Sequence, residues 1–172
     1  MPTKKHEVLV NQEEYLLGEK SSLIKHEYVD GVIYAMAGAS ENHNRISINL
    51  LSEIRTHLKD GPCEPFMADM KVKTANQFFY PDVMVTCEED NTDPYYKEKP
   101  IIIVEVLSKT TRRMDETTKR FAYMNIPSLQ EYVLVDQDFV DVEVCRKKEG
   151  WIPRHYYLGD TVPLMSIGLE LL

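Results

Sequence analysis

Phe78-Phe79-Tyr80-Pro81-Asp82-Val83-Met84-Val85-Thr86 is answered by Ile101-Ile102-Ile103-Val104-Glu105-Val106-Leu107. Both runs are dense in β-branched and aromatic residues, the composition of buried strands. Each carries one carboxylate inside its apolar run, and burying an ionised carboxylate is costly unless a cation or hydrogen-bond donors compensate. Two such acids in neighbouring strands suggest a shared cation. The connection between them holds Glu88, Glu89, Asp90 and Asp93-Pro94, a polar, turn-rich segment. If the strands pair antiparallel around it, Asp82 and Glu105 lie about equally far from Asp93-Pro94 and meet on the sheet, although a loop this long leaves the register open. A divalent metal held by two carboxylates near a lysine is apparatus for cutting phosphodiesters.

Working outward, residues from about Asn11 to Glu19 read as a short helix with Tyr15, Leu16 and Leu17 inward. His26 to Tyr34 reads as an N-terminal β-hairpin turning at Asp30-Gly31, and Glu27 enters it as a third acid in a strand. Ser40 is a good N-cap for a helix to about Lys59, with Ile46, Leu50, Ile54 and Leu58 recurring every four residues and Leu51 widening the stripe. Asp60-Gly61-Pro62 stops it, and about Cys63 to Lys73 reads as a strand.

After the two acid-bearing strands, a second helix is predicted over Arg112 to Met124, capped by Thr110 or Thr111 and ending before Pro127. Phe121 and Met124 should face the core, with Met114 or Tyr123 on the flank. Glu131 to Val135 is a strand, Phe139 to Cys145 a strand with one wet face, and Trp151 to Leu158 the last strand. The order gives an α/β fold with a central mixed β-sheet flanked by helices, as one domain spanning residues 1–172.

The totals agree with a globular chain: 43% apolar and 28% charged residues are ordinary values. No apolar run is long enough for a bilayer, and Asn11-Gln12-Glu13-Glu14 interrupts any signal peptide, so the expected location is cytoplasmic. Cys63, Cys87 and Cys145 show neither metal-ligand spacing nor an even disulfide set and read as reduced thiols. The formal charge of −8 argues against tight, metal-free, nonspecific DNA binding. Basic clusters nonetheless stand at Lys71/Lys73, Lys109 to Arg113, Lys119-Arg120 and Arg146 to Lys148.

Pro81-Asp82, then Glu105-Val106-Leu107, then a helix bearing Lys119 resemble the PD-(D/E)XK nuclease superfamily. The surrounding words are Glu27-Tyr28-Val29-Asp30-Gly31, Tyr80-Pro81-Asp82, Ile103-Val104-Glu105-Val106-Leu107-Ser108, Arg113 through Asp115 to Lys119, and Ile126-Pro127-Ser128-Leu129-Gln130-Glu131-Tyr132. As an ordered set they are similar to the Uma-two family of restriction endonucleases, formerly a domain of unknown function, from about Glu14 to the C-terminal strand. The resemblance implies a restriction-endonuclease-like core and a magnesium-dependent endodeoxyribonuclease, with manganese able to substitute. Asp82 and Glu105, completed by the backbone carbonyl of Val106 and waters, would bind the metal. Leu107 stands where the short motif places lysine, and Lys119 on the next helix takes that role, positioning the nucleophile. Glu27 would bind a second ion or orient a metal water, while His43 and Arg113 would contact phosphate.

Each residue also has a plainer role. Asp82 and Glu105 could be solvated strand-end acids. Lys119 could pair with Asp115 on an exposed helix face, and Glu27 with Lys25 beside the hairpin. His43 could simply belong to the first turn of its helix, Tyr123 to core or groove packing, and Arg112 and Arg113 to a solvated face. The rival function is a nuclease fold without turnover, serving as a nucleic-acid or protein interaction module. The apolar segment Val162 to Leu172 and free β edges point to a homodimer. Substrate specificity is assigned to loops such as Glu88 to Lys99, because no separate DNA-reading motif is present.

Overall fold

The computed structural model describes residues 9–88 and 93–172. Part of the proposed specificity loop, residues 89–92, lies outside the described residues, as does the segment 1–8.

Helix α1 (Gln12–Glu19) starts at Asn11, whose side chain accepts from the Glu14 N–H while the Glu14 carboxylate accepts from the Asn11 N–H. Tyr15 is buried and Leu16 packs beside it; Leu17, expected inward, is exposed. The helix offers one narrow apolar edge, and Leu17 falls past it. Strands β1 (His26–Val29) and β2 (Val32–Ala35) form the predicted hairpin, with Asp30 and Gly31 both at positive φ (48° and 95°). Helix α2 (Glu41–Leu58) is N-capped by Ser40, whose hydroxyl accepts from the His43 N–H, and Ile54 and Leu58 anchor its buried stripe.

The expected strand from Cys63 to Lys73 is two strands in different sheets, β3 (Glu64–Met67) and β4 (Lys71–Lys73), separated by a turn closed from Met70 N–H to the Met67 carbonyl. The opening stretch divides likewise, into β5 (Gln77–Phe79) and β6 (Val83–Thr86). Pro81 cannot donate to a ladder, and the Tyr80 N–H is turned onto the Glu27 carboxylate instead. The chain therefore leaves one sheet at Phe79 and enters the other at Val83. After β7 (Tyr96–Lys97) comes β8 (Pro100–Leu107), the longest strand.

From β8 the chain passes through a helical segment built of α3 (Arg112–Met114), a π-helical turn Asp115–Lys119, and α4 (Arg120–Met124). It returns as β9 (Glu131–Asp136), parallel to β8. Strands β10 (Asp141–Arg146) and β11 (Arg154–Tyr157) follow antiparallel. A final hairpin of β12 (Val162–Leu164) and β13 (Leu169–Leu171), not anticipated from the sequence, closes the chain.

Two larger sheets result. The mixed six-stranded sheet runs β11-β10-β9-β8-β6-β3, and the five-stranded sheet runs β2-β1-β5-β4-β7. On one face of the six-stranded sheet, Met84, Ile103, Leu107, Tyr132 and Leu134 pack against Ala122 and Tyr123 of α4. On the other, Val83, Val85, Ile102, Val104 and Val133 pack against Ile54 and Leu58 of α2 and against Val162 and Leu164. The fold is thus the expected α/β arrangement of mixed sheet and flanking helices, and the C-terminal apolar segment is committed to this core. Helix phase is a correction: Phe121 is 76% exposed, whereas Tyr123 is fully buried and Met124 half-buried. The inward stripe runs Asp115, Lys119, Ala122 and Tyr123, so two charged residues occupy positions that apolar periodicity assigns to solvent.

Cysteine pairing also departs from expectation. Cys63, just before β3, and Cys87, just after β6, form a disulfide, because the pairing of Glu64 with Thr86 sets them opposite one another. Cys145 is the buried free thiol.

Candidate active site

The site forms where the two sheets meet the helical segment. Strand β6 pairs with β8 so that Val83 faces Val104, and continuing that register by one residue sets Asp82 opposite Glu105. By the alternation along each strand both acids point to the face covered by α4, the side on which Met84 and Ile103 lie. The Asp82 Oδ2 accepts from the Val106 N–H at 2.7 Å, which ties the acid to β8. The register left open in the sequence is therefore the one that brings the two acids together.

Lys119 enters from the π turn. Its ammonium lies 2.9 Å from Glu27 Oε1, 3.2 Å from Glu105 Oε1 and 3.2 Å from Asp115 Oδ1. At 4% exposure it is buried, so the solvated-helix reading of this lysine does not hold. Pairing of Glu27 with Lys25 does not hold either: Lys25 bonds Asp69, and Glu27 spans Lys119 and the Tyr80 N–H. The π turn is itself a site feature, since such widened turns carry inward-facing functional side chains more often than regular helix does. Its Asp115 carbonyl accepts from the Tyr132 hydroxyl at 2.9 Å.

Tyr123, expected in core or groove packing, also bonds one of the acids. Its hydroxyl donates to Glu105 Oε1 at 2.8 Å, and its ring stands edge-on to Phe79 and Tyr132. The missed signal was spacing: Tyr123 follows Lys119 by four residues, one helical turn along the same face. His43 reaches the site from the first turn of α2. Its Nε2 lies 3.2 Å from Asp82 Oδ2, so it touches an acid rather than standing apart for phosphate. Arg113 is exposed and does not line the adjoining cavity, while its neighbour Arg112 pairs with Asp136 and Glu116. That cavity, of about 270 Å³, is bordered by Glu27, Tyr34, Met36, Thr111, Asp115 and Lys119 and opens the buried cluster outward.

Electrostatics of the cluster follow from burial. Desolvation pushes the Glu105 carboxyl well above its ordinary range, Lys119 pulls it back, and Asp115, Asp82 and Glu27 add repulsion. Desolvation likewise raises Asp115 against the pull of Lys119. Burial disfavours the Lys119 ammonium, yet Glu105, Glu27 and Asp115 outweigh it and keep the lysine charged, well above its usual value. The hydrogen bond to Asp82 raises His43.

Among the described residues no three His, Cys, Asp or Glu side chains converge as a ready-made metal cage. The donor chemistry nonetheless suits a hard divalent cation. Magnesium takes one or two carboxylates and keeps its waters. Glu27, Glu105 and Asp115 face a single ammonium while Asp82 adds its repulsion on Glu105, and Asp115 Oδ1 has no hydrogen-bond partner although Lys119 lies 3.2 Å away. The cluster holds more carboxylate than its lysine balances.

The model of the Uma2 family, whose description is "Putative restriction endonuclease", matches residues 12–171. The chain belongs to the Uma2 family. Two proteins of Synechocystis sp. (strain ATCC 27184 / PCC 6803 / Kazusa) are similar to this Uma2 chain. Uncharacterized protein slr1290 is 39% identical over 166 residues, covering 94% of this chain and 87% of its own length. Uncharacterized protein sll1609 is 39% identical over 140 residues, 78% of each chain. The crystal structure of "a putative nuclease belonging to DUF820" from Anabaena variabilis ATCC 29413 matches with a TM-score of 0.80 at 18% identity, over 94% of both chains. At that identity the match speaks for the fold: the Uma2 chain has the architecture of that protein.

Proposed function

We propose that this Uma2 chain is a metal-dependent nuclease that hydrolyses phosphodiester bonds in DNA, acting as a cytoplasmic endonuclease through one domain. The observation that carries the reading is the side-by-side placement of Asp82 and Glu105 on one sheet face with the Lys119 ammonium against Glu105. Asp82 and Glu105 would hold magnesium or manganese together with the Val106 carbonyl, and the ion would polarise the phosphate and acidify a bound water.

The chain's own side chains prepare that chemistry. The Val106 N–H and His43 fix Asp82 through Oδ2. The Tyr123 hydroxyl and Lys119 fix Glu105 through Oε1. A preset arrangement of this kind needs little reorganisation as charge develops. Lys119, kept protonated by its acids, supplies a positive charge for the oxygen on which negative charge accumulates. Glu27 holds Lys119 in place and remains the candidate for a second cation or its water. Arg113, on the exposed side of the same helical segment, is free to meet the polyanion.

The test is plasmid cleavage in magnesium or manganese. Asp82→Ala and Glu105→Ala should each lower the rate on the order of 100-fold or more; cleavage unchanged in both variants contradicts the assignment. A second reading keeps the fold as a nucleic-acid or protein interaction module without turnover. It is favoured by Leu107 in the usual lysine position and by Lys119 being engaged with three carboxylates. DNA binding without cleavage across a series of divalent metals would select it.

A homodimer stays within the proposal only on strand edges, such as those of β2 and β11, that are unpaired among the described residues, since Val162 and Leu164 are used in the core. A monomeric mass by light scattering at micromolar concentration would remove it.

A further inference from the structure

The cavity of about 270 Å³ that opens the acidic cluster outward has a second kind of wall besides its acids and lysine. Tyr34, Met36 and Met114 border it, together with two alanines and two threonines. Strand pairing accounts for that placement. Tyr34 stands directly opposite Glu27 across β1 and β2, so the two side chains share one sheet face. Met36 lies two residues further along the same face, its N–H donating to the Lys25 carbonyl at 2.9 Å. Glu27 is buried against Lys119, whereas Tyr34 is 42% exposed. Among the described residues the Tyr34 hydroxyl has no hydrogen-bond partner, and its ring has no aromatic or cationic neighbour.

Charge limits what this cavity can take. Its charged groups are the carboxylates of Glu27 and Asp115 and the ammonium of Lys119, so it holds no positive excess. Arg112 is paired with Asp136 and Glu116, and Arg113 does not border the cavity. A phosphate finds no spare counter-charge here. A flat, neutral group finds an unstacked tyrosine ring and two thioethers, which are polarisable and adapt their shape. Nucleobases fit that description, since every base has a π face that stacks on an aromatic side chain.

We propose that this cavity is the base subsite of the nuclease, taking one unstacked nucleobase next to the scissile phosphate, with Tyr34 as the stacking platform and Met36 and Met114 as its walls. The proposal rests on the nuclease reading, which puts the phosphate at Asp82 and Glu105. Lys119 touches Glu105 and also borders the cavity, so the two sites adjoin. In a duplex the bases are paired and stacked inward, and one reaches such a recess only from a single strand or by extrusion. The substrate class is therefore DNA with unpaired nucleotides rather than a continuous duplex.

The experiment compares cleavage of one labelled sequence as a single strand, as a gapped duplex and fully paired, in magnesium or manganese. Wild type should cut the unpaired forms about tenfold faster, or more, than the paired one. Tyr34→Ala should lower kcat/KM on the single strand about tenfold, as loss of one stacked base does, while Tyr34→Phe keeps the ring and should retain the wild-type value. Tyr34 is exposed on the edge strand β2, so these variants keep the fold. Equal rates on paired and unpaired DNA overturn the proposal and leave the nuclease reading intact, as does an unchanged rate in Tyr34→Ala. If no form is cut in either metal, the nuclease reading fails by itself, and binding decides the subsite. A single strand carrying 2-aminopurine is then titrated with wild type and with Tyr34→Ala. Quenching by wild type that is lost in Tyr34→Ala upholds base binding in the cavity; no quenching, or equal quenching by the two proteins, removes it.

Discussion

At the scale of single residues, Lys119 holds the greatest leverage. Its ammonium is within 3.2 Å of Glu105 and Asp115 and 2.9 Å of Glu27, all buried. Lys119→Met leaves these carboxylates without a cation, and breaking a buried ion pair from one side costs about 3–5 kcal/mol. Urea denaturation should show that loss, part of which the acids relieve by taking up protons. Tyr123→Phe removes one hydrogen bond to Glu105 and should cost about 1 kcal/mol in the same assay. Asp136 offers a pH test away from the cluster. Burial opposes its charge, but the Arg112 guanidinium and the Asp138 and Phe139 N–H groups prevail and hold its carboxyl below the usual range. Because the folded state depresses this value, the stabilisation is present above the unfolded carboxyl value of about 3.9 and disappears as pH falls through the folded one. Arg112 is partly exposed, so the amount is about 1 kcal/mol. Asp136→Asn should lose it at neutral pH and flatten the decline in stability on acidification; an unchanged acid limb would contradict the pairing.

At the scale of elements, the legible features were those with local chemistry. Asp30-Gly31 announced its hairpin and Ser40 its helix, and both stand as expected. Gly31 shows why: at φ +95° an added Cβ would meet Leu9 Cδ2 at 3.1 Å. Gly31→Ala should cost about 1–3 kcal/mol by thermal or urea unfolding. The strand boundaries around Tyr80-Pro81-Asp82 were less legible, because the apolar run continues through a change of sheet and only the missing proline N–H marks the break. Helix phase was hidden for the opposite reason. Asp115 and Lys119 face inward because they compensate one another and the two glutamates, so apolar periodicity pointed to Phe121 and away from Tyr123. Cysteine spacing could not reveal the Cys63–Cys87 bond, which depends on how β3 pairs with β6. Burial pushes the remaining Cys145 thiol up to about 12. In the oxidised native protein at pH 8, a thiol reagent should find no fast-reacting cysteine; mixing with reductant should expose two, and denaturant the third.

At the scale of the whole molecule, two sheets that share the Phe78–Thr86 stretch converge on a compact group of acids around one ammonium. The pair of acid-bearing strands, their antiparallel partnership and the lysine on the following helix could be read from residue order. The terminal hairpin joins near neighbours, Val162–Leu164 with Leu169–Leu171, in strands too short for their alternation to stand out; the five-stranded sheet could not be read because it depends on pairings between segments distant in sequence. The same is true of His43, which the N-terminus of α2 delivers to Asp82. The central claim is that Asp82 and Glu105 jointly hold a divalent cation. A crystal of the protein soaked in manganese tests it most directly, through the anomalous difference map at the manganese edge. The account predicts a peak bridging the Asp82 and Glu105 carboxylates, absent in Asp82→Ala; a saturating soak that leaves no peak between them, or one bound elsewhere and indifferent to that substitution, would contradict it.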